Sequence, residues 1–182
     1  LLLQENPAVE AVTPEDILPV GVLAKITLKV KLPSGNYKVK FRLLQRVEIE
    51  DFITETPCFT VKYNPLHTVY GNPDEEVALV KMVIDELMPK AKEYLNNVDD
   101  VINQIQSGAT TEVVCDRIAF NLRSTDTDKS KYVLEADLNR RLNYILQDLK
   151  HEQQIIEIEN KINESVKKNI DESQKEYYLR EK

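Results

Sequence analysis

In the stretch GVLAKITLKVKL, the residues Val22, Ala24, Ile26, Leu28, Val30 and Leu32 alternate with Leu23, Lys25, Thr27, Lys29 and Lys31. A period of two predicts a strand with one buried face. PSGN follows. Pro33 presets φ and Gly35 is free to take positive φ, so a chain reversal is expected there. The alternation resumes in YKVKFRL, with Tyr37, Val39, Phe41 and Leu43 expected inward and Lys38, Lys40 and Arg42 outward. RVEIEDF and CFTVKY predict further strand, separated by a turn around Thr56-Pro57.

Near Asn72 the period changes. Asn72 suits a helix cap, Pro73 the first helical position, and the acids of NPDEE the positive end of the helix dipole. Val77, Val80, Ile84, Leu87, Ala91 and Leu95 then recur at helical spacing, with Pro89 expected to kink the helix. Ser107-Gly108 marks the end of a second helix, TEVVCDRIAFNL predicts a third, and STDTDKSKYVLEA a loop followed by a capped short helix. From Asp137 onward neither glycine nor proline occurs. Leu138, Leu142, Ile145 and Leu149 form one stripe, and Ile155, Ile158, Ile162, Val166 and Ile170 continue it. Glu157 with Lys161, Glu164 with Lys168, Asp171 with Lys175 and Glu176 with Arg180 stand four apart on the outer face, the orientation that supports an exposed helix. Such a helix would run roughly 70 Å. Its proximal half is expected to be buried. Its distal half needs another chain or stays partly exposed.

The 182 residues carry a formal charge of -7, which speaks against general nucleic-acid binding. Residues 1–70 hold eight acids and eight bases, so the negative excess lies in 71–182. No apolar run approaches the ~20 residues of a membrane span, and LLL at the start lacks the flanks of a signal peptide. Cys58 and Cys115 lack metal-ligand spacing and read as two buried reduced thiols. A cytoplasmic location is expected.

IENKINESVKKNIDESQKEYYLREK closely resembles the segment that joins the N-terminal domain of bacterial Lon proteases to their AAA+ ATPase module, with QKEYYLRE its most specific part. PVGVLAKI and KLPSGNYKVKF, with Arg46 before VEI, look like that family's central hairpin. Leu43 stands where many members have glycine. The resemblance implies an α+β fold: an incomplete PUA-like β-barrel portion over 1–70, a helical subdomain over 71–135, and a long helix over 136–182 leading toward an AAA+ module. LLLQ matches a strand that follows the family's first strands, so the chain is expected to be cut at both ends. The implied function is substrate recognition and assembly in an ATP-dependent serine protease that degrades unfolded or damaged proteins. Self-association in a homo-hexamer is implied with it, and ATP and magnesium would belong to the absent module. The alternative is a free-standing PUA-like RNA- or protein-binding module with a dimerising helix.

No phosphate-binding G-x-x-x-x-G-K-[ST] loop occurs among the four glycines. Ser165 and Lys168 share a helical face, but the setting is that of a solvated surface rather than a dyad. His67 and His151 have no ligand-spaced neighbours, and Asp99 with Asp100, like Asp126 with Asp128, reads as helix-start chemistry. The chain is therefore expected to be neither catalyst nor metal site. The six cations Lys25, Lys29, Lys31, Lys38, Lys40 and Arg42 fall on one predicted face, read as solvated and aggregation-blocking rather than as an anion, acidic-peptide or RNA surface. Ile17, Leu18, Val20, Leu66 and Val69, unclaimed by any period, are the candidate substrate-binding residues. They would otherwise plug the barrel ends.

Overall fold

The computed structural model describes residues 1–123 and 129–180, the side chains at 175, 176 and 178–180 excepted. Ser124, Asp126 and Asp128, and the Asp171–Lys175 and Glu176–Arg180 pairs, lie outside what is described. The chain clusters into two compact units, one of residues 1–71 with 129–138 and one of residues 72–128 with 139–182.

The first unit is built on a three-stranded antiparallel sheet in the order β1 (Val20–Lys31), β2 (Tyr37–Thr54), β3 (Thr60–Pro65), open rather than closed into a barrel. YKVKFRL and RVEIEDF are one continuous strand. Gly35 takes φ 88° in the β1–β2 turn, where the Leu32 N–H donates to the Asn36 carbonyl at 2.7 Å. Residues 1–5 add an irregular ladder to the outer side of β1. Leu1 and Val22 exchange backbone hydrogen bonds, and the Leu18 N–H donates to the Leu3 carbonyl at 2.8 Å. Gly21 allows this approach, because a Cβ there would lie 2.8 Å from the Leu1 carbonyl oxygen. Pro14–Asp16 form a 3₁₀ turn whose Asp16 carboxylate accepts from the Thr13 N–H and hydroxyl, which holds its pKa below the usual value.

A segment remote in sequence completes this unit. The Arg46 guanidinium on β2 donates to the carbonyls of Val133 and Glu135 and to the Thr68 hydroxyl. The Val69 N–H donates to the Ala136 carbonyl, and the Leu138 N–H to the Val69 carbonyl. The short helix α5 (Ser130–Leu134) is held to the sheet unit in this way.

The second unit is helical: α1 (Pro73–Leu87), α2 (Ala91–Tyr94), α3 (Val98–Gln106), α4 (Thr111–Asn121) and α6 (Leu138–Arg180), of which α6 contributes from Asn139 on. Asn72 caps α1 by accepting from the Asp74 N–H at 2.9 Å, and Asn97 caps α3 from the Asp100 N–H. Pro89 does more than kink. It ends α1 at Leu87, and a 3₁₀ turn over Met88–Lys90 leads into α2. Of the expected stripe Leu87, Ala91 and Leu95 are buried and Val80 and Ile84 line an apolar cavity, whereas Val77 is exposed and Leu79 and Val83 are buried in addition. Gly108, with φ 69°, follows α3.

The core of this unit gathers Val83, Leu87, Tyr94, Leu95, Val101, Ile118, Leu142, Ile145 and Leu149, each at most 2% exposed. Arg141 is fully buried on α6 and pairs with Asp116 at 2.7 Å and Glu112 at 3.3 Å, tying α6 to α4. On α6 the proximal stripe is buried as expected, and Ile158, Ile162, Val166 and Ile170 are exposed.

Candidate binding surface

The distal part of the β1–β2 pair departs most from expectation. Ile26, Leu28, Val30, Tyr37, Phe41 and Leu43 were expected to face a core, yet all are at least 41% exposed. Among the described residues no element covers them. The core-facing part of the pair is its other end, where Val20 and Val47 are buried. Beyond about Ala24 the two strands form a projecting arm.

The two faces of the arm are also not those the alternation predicts. Register runs Ala24 opposite Leu43, Lys25 opposite Arg42 and Ile26 opposite Phe41, then skips Thr27, so that Leu28 stands opposite Lys40, Lys29 opposite Val39, Val30 opposite Lys38 and Lys31 opposite Tyr37. Directly opposed residues share a face, and one extra residue exchanges the faces of everything beyond it. The bulge at Thr27, whose hydroxyl donates to the Lys40 carbonyl, therefore moves Lys29 and Lys31 to the side of Tyr37, Val39 and Phe41. Lys29 Nζ accordingly sits 4.4 Å from the centre of the Tyr37 ring. Leu28 and Val30 move to the side of Lys25, Lys38, Lys40 and Arg42. The six cations are split between the faces.

The zero net charge of residues 1–70 conceals a segregation. From Val20 to Arg46 there are seven bases and no acid. Arg46 is engaged by backbone carbonyls, but Lys38, Lys40 and Arg42 form no ion pair with any carboxylate of the described residues. A window count of charge would have found this. No sequence signal marks the bulge.

The five candidate residues do not make one patch. Val20 is the first residue of β1 rather than a loop residue, and it is buried, which leaves it no surface for a ligand. Ile17 and Leu18 are half-buried where residues 1–5 pair, on the side of β1 away from β2. Half-buried Leu66 and exposed Val69 follow β3, on the far side of β2, with the Leu66 N–H on the Arg46 carbonyl. Two strands separate the pairs. Cys58 is exposed, against expectation, and Cys115 is buried in α4. In the helical unit, Val80, Ile84, Ile105, Val114 and Leu142 line a half-open apolar cavity of about 180 Å³. No cluster of His, Cys, Asp or Glu among the described residues could hold a metal, and no described helix is long and apolar enough to cross a membrane.

An open three-stranded sheet, followed in sequence by a helical bundle and a very long helix, defines an α+β module. The sequence profile of the ATP-dependent protease La (LON) substrate-binding domain matches residues 1–151, and the chain belongs to that family. It is 48% identical over 163 residues to the Lon protease of Aster yellows witches'-broom phytoplasma, covering 89% of this chain and 21% of that protein. To the Lon protease of Haemophilus influenzae it is 29% identical over 181 residues, covering 100% of this chain and 22% of that protein. The chain thus spans about a fifth of the length of these curated relatives. The solved N-terminal domain of Mycobacterium avium complex Lon protease has the same fold, with a TM-score of 0.58 at 14% identity over 76% of this chain and 74% of that one.

Proposed function

We propose that this chain is the substrate-recognition and assembly region of an ATP-dependent Lon protease, and that it holds unfolded or damaged proteins through the first unit. The observation that carries the reading is the uncovered apolar arm. An unfolded chain differs from a folded one in presenting apolar segments and unpaired backbone, and Tyr37, Phe41 and Leu43 present a matching surface. Binding by one copy should be weak, and several copies in an assembled homo-hexamer would gain by avidity. ATP and magnesium belong, on this reading, to an AAA+ module of the whole protein, and the serine peptidase chemistry to a further one, so these 182 residues should hydrolyse neither ATP nor peptide. The charge of -7 keeps nucleic acid out of the proposal, and a cytoplasmic setting fits a consumer of misfolded protein.

Titration of a permanently unfolded reporter against the 182-residue chain tests this. Phe41→Asp with Leu43→Asp should weaken binding at least tenfold, which corresponds to about 1.4 kcal/mol. Leu18→Asp and Leu66→Asp test the two half-buried sites separately. A wild-type chain that binds the folded and the unfolded reporter equally would overturn the reading, as would ATP hydrolysis that copurifies with it.

A further inference from the structure

The half-open cavity of about 180 Å³ lies wholly inside the helical unit, walled by α1, α3, α4 and α6. Its walls divide by depth. Val83, Cys115, Ile118 and Leu142 form the floor, each at most 2% exposed. Ile84, Ala109 and Thr111 are half-buried and belong to the rim. A pit with a buried floor and a half-exposed rim is reached from solvent without opening the bundle. Ala109 stands in the turn between α3 and α4, just after Gly108 takes φ 69°, and its N–H donates to the Gln104 carbonyl at 3.1 Å. Its side chain is a single methyl group, and a longer one there would narrow the mouth. No lining residue is charged, and the side-chain heteroatoms of the lining are the Thr111 hydroxyl and the Cys115 sulfur. A charged guest would lose its hydration here with nothing to replace it. Dry apolar cavities of about 150 Å³ take up benzene-sized molecules, because an unfilled wall forfeits its dispersion contacts.

We infer that this cavity is a binding site for one small uncharged apolar group, a ring or branched aliphatic of roughly six to eight non-hydrogen atoms. The group arrives either as a free molecule or as an apolar side chain presented by another protein, and the wall offers both the same chemistry. The cavity lies outside the sheet unit, so this site stands or falls independently of the recognition role proposed for that unit. An occupant touches α1, α4 and α6 at once, and binding therefore stabilises the folded bundle by mass action.

Cys115 makes the site measurable. The chain has two cysteines, and Cys58 is exposed and lies in the other unit, so Cys58→Ser leaves Cys115 as the single thiol. Methyl methanethiosulfonate, small and uncharged, should label it in the folded chain. The Cys115 thiolate sulfur bonds to the methylthio sulfur, and methanesulfinate leaves with the electrons of the broken S–S bond. The anionic sulfonatoethyl reagent should be slower by at least about tenfold in the folded chain, because its charge is excluded from the cavity. In urea-unfolded chain the two should react alike. Toluene should slow the labelling and raise the urea midpoint, both rising with its occupancy. Ala109→Leu should suppress the labelling and the toluene effect together, and the measurements on Cys58→Ser decide the matter if that variant does not fold. N-acetyl-leucinamide separates the two sources. Protection of Cys115 by it as well as by toluene assigns the site to protein side chains, and protection by toluene alone assigns it to free molecules. Equal rates for the two reagents in the folded chain would mean that the thiol is reached only by unfolding, and would overturn the inference. So would a urea midpoint that saturating toluene leaves unmoved, or protection by N-acetyl-lysinamide equal to that by toluene.

Discussion

The two halves of α6 carry the same pattern and meet different fates. Leu142, Ile145 and Leu149 are spaced three and four apart and are at most 2% exposed, and Ile158, Ile162, Val166 and Ile170 are spaced four apart and are about half exposed. The difference lies in what is available to cover them. The proximal half shares an apolar cavity wall with α1, α3 and α4 and is pinned by Arg141 to Asp116 and Glu112, whereas nothing among the described residues covers the distal stripe. Periodicity announces that a stripe wants burial. It says nothing of whether a partner exists.

The sharpest way to break this comparison is to truncate one residue in each half. Ile145→Ala removes fully buried methyl groups and should cost about 2–5 kcal/mol in urea unfolding. Ile162→Ala in the same chain should stay within about 0.5 kcal/mol. An Ile162→Ala loss as large as that of Ile145→Ala, growing with protein concentration, would show that a second molecule covers the distal stripe in solution.

Arg141 offers the next contrast, between the two ends of one ion pair. Its guanidinium is wholly buried, whereas the Asp116 side chain is 56% exposed. Arg141→Ala should cost about 3 kcal/mol, because it breaks a buried hydrogen-bonded pair and leaves a void. Asp116→Asn should cost about 1 kcal/mol or less, since water already screens that carboxylate and Glu112 remains. Comparable losses for the two would mean that the pair acts as a buried unit and that the exposed carboxylate matters more than its solvation suggests.

The same distinction between pattern and partner explains what could be read from the sequence. Asn72, Pro73 and Gly108 act locally, and the ends they predict for α1 and α3 are where the structure has them. The exposed α1 residue Val77 shows the limit: the stripe holds at Leu87, Ala91 and Leu95, but at the start of the helix burial falls on Leu79 and Val83 instead of Val77. The arm fails in two further ways. Its alternation is real, but no covering layer is present among the described residues, and the Thr27 bulge exchanges the faces through a single unpaired residue. The role of Arg46 depends on carbonyls at Val133 and Glu135, far along the chain, and no spacing rule connects them. The candidate binding residues lie where periodicity is silent. The exposed surface lies instead where periodicity was strongest and went unsatisfied.

Burial without a partner occurs at the polar level too. The Tyr94 hydroxyl is buried with no hydrogen-bond partner among the described residues, and its pKa is raised by that burial first and then by the charges of Glu86, Glu93, Glu152 and Glu157. Tyr94→Phe should be neutral or stabilising by up to about 1 kcal/mol, since it removes an unmet polar group and keeps the ring. The pH dependence has a fixed sign. A folded-state pKa above the unfolded value of about 10 means that stability is unaffected below that value and falls as pH rises through the folded pKa. Tyr94→Phe should lose less stability than wild type between pH 9 and 11, a range of about one unit either side of that value. A destabilising Tyr94→Phe would reveal a hydrogen bond to water at the hydroxyl.

The smallest effect returns to the distal half of α6, where local interactions are all that the described residues supply. Glu164 stands four residues before Lys168 on the face away from the stripe, the favourable orientation for the helix dipole. Such a pair is worth about 0.2–0.5 kcal/mol and weakens as salt shortens the range of the charges. Glu164→Ala should therefore speed amide exchange around Lys161–Lys168 by less than about threefold at low salt, and by nothing measurable at about 1 M salt. Substitution at Gln147, beside the buried stripe, should leave exchange in the proximal half unchanged, because tertiary packing rather than local pairing holds it there. If Glu164→Ala instead melted the distal half outright, the pair would be cooperating with contacts beyond this chain's own helix. The two halves would then differ in which molecule covers them, and no longer in whether they are covered.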